Sequence, residues 1–170
     1  MQLKTNNREQ TIALGRLIGL SLPPGTVVCL EGDLGAGKTA LTVGLAKGLG
    51  IRRPVSSPTF TLLIEHEAGE RGIPLYHFDV YRLADGESFL ELGFEEYIGD
   101  KGICVIEWSS RVRDVLPAAS LEIELRFAGP DQPDARELKL SWQGHEDWLT
   151  KLAADWAGGA DSSIKAKEEK

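Results

Sequence analysis

Long apolar runs are missing from this sequence. None approaches the roughly 18 consecutive apolar residues a membrane-spanning helix needs, so no transmembrane segment is expected. The opening stretch, Met1-Gln2-Leu3-Lys4-Thr5-Asn6-Asn7, has no apolar centre and does not read as a signal peptide. Cysteine is scarce. The two present, Cys29 and Cys104, each sit inside an apolar run without a partner at metal-ligand spacing. Two reduced, buried thiols are expected, not a disulfide framework or a zinc site. These absences together point to a cytoplasmic protein. Long basic runs are absent as well, and acidic residues outnumber basic ones 26 to 19, for a net charge of −7. A protein that binds nucleic acid unaided usually presents a basic face, because affinity comes largely from releasing counterions off phosphates. Direct binding to DNA is therefore not expected, and any RNA role would be shared with a more basic partner.

What is present is ordinary globular material. The chain has 170 residues, 42 % of them hydrophobic and 26 % charged, enough for one buried core over residues 1–157. Residues 158–170 are small and charged and read as a disordered tail. Asn7, followed three residues on by Gln10, predicts a helix start. Leu14, Leu17, Ile18 and Ser21 continue at helical spacing until Pro23-Pro24-Gly25. Thr26 to Glu31 is nearly all apolar, as buried parallel strands are. A second helix carries Leu41, Leu45 and Leu49 and closes at Gly50. Its Gly44 and Gly48 each weaken it by roughly 1 kcal/mol, tolerable if they let it lie close to the sheet. Strands are expected at 59–65, 73–80 and 102–108, the first two forming a hairpin. Short helices are expected over 85–97 and 110–116. Two alternating strands, 121–127 and 137–142, make an antiparallel pair. A last helix over 145–156 gathers Trp148, Leu149, Leu152 and Trp156 on one face.

Between the first strand and the second helix lies Gly32-Asp33-Leu34-Gly35-Ala36-Gly37-Lys38-Thr39, a full match to G-x-x-x-x-G-K-[ST]. Glycines let a backbone wrap a phosphate with its N–H groups pointing inward. The helix that begins there, at Lys38, Thr39 and Ala40, aims its positive end at the same anion. Lys38 adds a point charge at the β- and γ-phosphates, and the Thr39 hydroxyl can ligate Mg²⁺. A glycine-rich turn before a helix is common, but here strand, loop, Lys and Thr are all in register.

A triphosphate-bound Mg²⁺ also needs a carboxylate, usually at the C-terminal end of a buried strand. Asp79 and Glu107 both end apolar runs. Ligands in parallel sheets bind beyond those ends, so both acids should lie near Lys38 and Thr39. One would be linked to the metal and the other would position the attacking water; the residues themselves do not divide the roles. The plain alternative for each is a surface carboxylate.

These residues, with Ser57-Pro58-Thr59-Phe60-Thr61-Leu62, His77-Phe78-Asp79-Val80-Tyr81-Arg82-Leu83, Glu91-Leu92-Gly93 and Val105-Ile106-Glu107-Trp108, resemble the TsaE (formerly YjeE) family over about Arg8 to Leu140. That family is the bacterial ATPase of tRNA threonylcarbamoyladenosine synthesis. The resemblance implies an α/β, P-loop NTPase-like three-layer fold with a mixed, partly parallel sheet. It implies ATP and Mg²⁺ as cofactors and slow hydrolysis. It implies work with TsaD and TsaB to place a threonylcarbamoyl group on N6 of adenosine 37, tRNA being met only through the complex. Carried over residue by residue, Lys38 is the P-loop lysine and Thr39 and Glu107 hold Mg²⁺. Asp79 positions water or supports the metal, and Thr59 senses the γ-phosphate. Trp108 falls beside the nucleotide or packs a strand end. Arg82 faces a partner or a phosphate. For His77 a structural hydrogen bond is favoured over catalysis.

Two other functions compete. A stand-alone small-molecule kinase would need an acceptor pocket and an arginine-bearing lid, and no insertion of that kind is evident. A nucleotide-dependent interaction module would not need the paired acids.

Overall fold

The computed structural model describes residues 1–99 and 101–159. The expected disordered tail lies outside the described residues except for Gly158 and Gly159. The chain begins with strand β1 (Gln2–Thr5) and helix α1 (Arg8–Ser21). The Asn7 side chain accepts the Gln10 backbone N–H at 2.8 Å, and the Gln10 side chain accepts that of Asn6 at 2.8 Å. The first bond satisfies a donor that a helix start would orphan, and the second ties the residue ahead of the cap to the first turn. Leu22, extended ahead of Pro23, ends the helix.

Strand β2 (Val27–Glu31), helix α2 (Lys38–Gly48), the strands β3 (Leu63–His66) and β4 (Leu75–Asp79), and the short helix α3 (Gly86–Glu91) follow. Then come β5 (Ile103–Glu107), β6 (Leu121–Phe127), β7 (Arg136–Ser141) and α4 (Glu146–Ala157), with 3-10 turns at Phe94–Tyr97 and Ser109–Val115. All seven strands join one sheet in the order β1-β7-β6-β2-β5-β4-β3. β6, β2, β5 and β4 run parallel, while β7 and β3 are antiparallel to their neighbours. The sheet is therefore mixed, as expected, with β2 at its centre.

Helices cover both faces, which explains why the central strands are apolar without alternation. Val28, Leu30 and Val105 point into a core shared with α1, α2 and α4. Val27, Cys29 and Ile106 point the other way, against Phe78 and Phe89. Both cysteines are buried and neither is in a disulfide.

Three features differ from expectation. Gly44 and Gly48 of α2 meet α1, not the sheet. A Cβ on Gly44 would lie 2.0 Å from the Ile12 carbonyl oxygen, and one on Gly48 2.3 Å from that of Arg16. Gly15 and Gly19 of α1 face the carbonyls of Leu41 and Leu45 as closely, so the two helices run side by side almost backbone to backbone. The strand expected at 59–65 starts only at Leu63, because residues 59–62 form a turn closed by Leu62 N–H to Pro58 O at 2.8 Å, with Leu62 at φ 66°. Strand β1 was not expected at all; it pairs with β7, and the terminal amine donates to Leu140 O.

Candidate nucleotide-binding site

Glycines shape the loop between β2 and α2 at two points. Gly32 has φ 143°, and a Cβ there would come within 2.4 Å of the Leu125 carbonyl oxygen on β6. Gly37 (φ 106°) precedes α2 with no side-chain cap, so the first amides of that helix remain available to an anion. Lys38 is buried, and its ammonium donates to Gly32 O at 2.6 Å and Asp33 O at 3.1 Å. It also sits 4.0 Å above the Trp108 ring. Burial pulls its pKa below the ordinary lysine value, opposed chiefly by the charges of Glu107 and Asp79.

Asp79 and Glu107 are direct neighbours in the parallel register of β4 and β5. Both are buried at the carboxyl ends of their strands. Glu107 Oε1 accepts the Thr39 hydroxyl at 3.1 Å and faces His77 Nε2 at 2.9 Å. Asp79 Oδ2 accepts from Ser57 at 3.2 Å and Thr59 at 3.1 Å, and its Oδ1 accepts the Tyr81 N–H. Trp108 (φ 63°) packs against Tyr81 with the rings tilted by 55° and their centres 5.0 Å apart. Arg82 donates to Phe60 O at 2.6 Å, tying down the same turn.

A cleft of about 440 Å³ brings Lys38, Thr39, Ala40, Thr59, Asp79, Glu107 and Trp108 together with Leu34, Gly35, Ala36 and Gly37. Gly32 and Asp33 do not line it. They border a groove on the far side of the loop, their carbonyls engaged by Lys38. Four lining residues escaped the sequence reading: Arg8 and Thr11 from the start of α1, Asp134 from the β6–β7 loop, and Arg136 from β7. None belongs to a local motif, and only the sheet order brings β7 near the loop.

The donor set suits a hard cation. The Thr39 hydroxyl and Glu107 carboxylate offer two oxygen donors already in contact with each other. Among the described residues no group of three or more His, Cys, Asp or Glu converges on one point. An ion such as Mg²⁺, which keeps waters and phosphate oxygens as ligands, fits such a sparse set better than one needing a full protein cage.

The model of the family described as "Threonylcarbamoyl adenosine biosynthesis protein TsaE" matches residues 5–137. The chain belongs to the TsaE family. A "tRNA threonylcarbamoyladenosine biosynthesis protein TsaE" from Bacillus subtilis is 45 % identical over 145 residues, covering 85 % of this chain and 87 % of that protein. One from Treponema pallidum is 44 % identical over 126 residues, covering 74 % and 91 %. A crystal structure of Bacillus subtilis YdiB superposes with a TM-score of 0.76 at 38 % identity, covering 91 % of this chain and 94 % of that one. The TsaE match includes every residue that lines the cleft, from Arg8 to Arg136. No helix of the described residues is long and apolar enough to cross a membrane.

Proposed function

We propose that this chain is the ATP-binding, slowly ATP-hydrolysing subunit needed for threonylcarbamoylation of adenosine 37 in tRNAs that read codons beginning with A. It acts in the cytoplasm with TsaD and TsaB, and meets tRNA only through them. The observation that carries the reading is the meeting of Thr39 with Glu107 at the mouth of a glycine loop, beside Asp79.

The residues divide the work as follows. The amides of Gly35 to Thr39 and Ala40 bind the phosphates, and Lys38 turns from its own loop carbonyls to their charge. Thr39 and Glu107 would hold Mg²⁺, which when bound offsets charge on the transferring phosphoryl group. Asp79 orients the attacking water or supports the metal. Its hold on Thr59 lets the 57–62 turn respond to the γ-phosphate. Trp108 flanks the site and packs over Lys38.

Phosphate release from purified protein and ATP tests this. It should be slow for the chain alone and faster with TsaB and TsaD. In a reconstituted system, Lys38→Ala should cut tRNA modification by about 100-fold or more while the thermal melt stays cooperative, because a pre-organised charge aimed at the reacting phosphate is lost. Undiminished modification by that variant would overturn the mechanism. Phosphate transfer to a metabolite instead of water would favour a stand-alone kinase.

A further inference from the structure

His77 is 0 % exposed, in the centre of β4, and its Nε2 lies 2.9 Å from Glu107 Oε1. That oxygen already accepts the Thr39 hydroxyl. A carboxylate only accepts, so Nε2 must carry the proton and donate. The other ring nitrogen, Nδ1, is buried without a hydrogen-bond partner. A leucine would fill the same space without an orphaned polar atom, so packing alone does not account for an imidazole here. Glu107 has a further need. Its side chain has several rotatable bonds, and a buried carboxylate keeps one orientation only where donors fix it.

We infer that His77 is the positioning residue for Glu107. Its single Nε2–H fixes Oε1 beside Thr39 and leaves Oε2 as the oxygen presented to the cleft. The inference rests on the reading of Glu107 as a metal-linked acid, and it adds the group that sets that acid's orientation. Ligating carboxylates are themselves held by hydrogen bonds, and removing such outer partners commonly costs metal affinity. His77 touches neither nucleotide nor metal in this scheme; it acts through Glu107.

The test compares the parent, His77→Gln and His77→Leu. Glutamine places an N–H near the position of Nε2, whereas leucine fills the space and donates nothing. Calorimetry with the non-hydrolysable analogue AMP-PNP gives nucleotide affinity in MgCl₂ and in EDTA, and ¹⁵N–¹H NMR of the parent gives the imidazole tautomer. The leucine variant should lose about 10-fold or more of the affinity that Mg²⁺ adds, the scale of outer-partner losses at metal sites. Its affinity in EDTA should stay near the parent's, and glutamine should restore the Mg²⁺ gain. The NMR should place the proton on Nε2. A leucine variant with the parent's Mg²⁺ gain, a glutamine variant no better than leucine, or a proton on Nδ1 would each overturn the inference. Should the leucine variant fail to fold, the parent's tautomer still decides. Failure of the underlying reading looks different: the parent itself would bind no AMP-PNP, or bind it equally in MgCl₂ and EDTA, and both ideas would fall together.

Discussion

At Arg136 one guanidinium holds the glycine-rich loop between β2 and α2. Its Nε donates to Ala36 O at 2.9 Å and its Nη2 lies 3.4 Å from Gly35 O, while the plane rests 4.3 Å over the Phe127 ring. A loop that turns its amides toward a phosphate must turn carbonyls outward, and Arg136 takes two of them. Hydrogen bonds to a charged group are worth about 1.5–3 kcal/mol, so Arg136→Met should weaken nucleotide binding by about 10-fold. Arg136→Lys should fall between, because an ammonium cannot match the planar fork. Calorimetric titration checks this, and an unchanged affinity for the methionine variant would mean that the loop holds its shape alone. This residue also marks where the sequence stops being legible. Lys38 and Thr39 announce themselves by spacing, and Asp79 and Glu107 by ending apolar runs. Arg136 acts on a residue 100 positions away, through a contact that no local pattern encodes.

Among the elements, α1 and α2 are joined by glycine against backbone. Helix propensity alone says that Gly44→Ala should stabilise the protein by about 1 kcal/mol. The added methyl carbon would sit 2.0 Å from the Ile12 carbonyl oxygen, and 2.9 Å from its carbon and from the Arg16 nitrogen. Backbone atoms inside a helix have little room to give, so the overpacking cost should reach the upper part of the usual 1–3 kcal/mol range. The net change should then be a loss of about 2 kcal/mol, read from the urea midpoint at constant m-value. A rise in the midpoint would show that the helices can part cheaply. Most elements were readable because each carries its own period and its own stop, as α1 does between Asn7 and Pro23. The turn at 59–62 was not. Its β-branched and aromatic residues favour a strand, but Asp79 captures the Ser57 and Thr59 hydroxyls and Leu62 adopts a left-handed conformation. Strand β1 is four residues long and gains its stability from β7, a partner that nothing nearby in the sequence announces.

Across the whole molecule, charge decides which partners the protein can meet alone. The net charge is −7, and many arginines are already engaged. Arg52 pairs with Glu70 at 2.6 Å, Arg53 with Glu67 at 3.5 Å and Arg113 with Glu122 at 2.9 Å. Arg126 pairs with Glu124, and Arg71 turns inward onto the carbonyls of Gly19 and Leu22. The exposed pairs add little to stability, but each sets a carboxylate beside a guanidinium that RNA would otherwise use. An RNA strand approaching this surface would release few counterions and would meet net repulsion. The isolated chain should therefore show no saturable tRNA binding below about 100 μM at about 0.15 M salt, the weak end of what non-specific electrostatic contact supplies. Adding TsaB and TsaD should recruit the chain to tRNA, seen as a further shift in gel mobility, because the basic contacts then come from elsewhere in the assembly. Tighter binding by the chain alone, with a steep loss of affinity as salt rises, would place a phosphate-reading surface on this protein and move tRNA contact from its partners to itself.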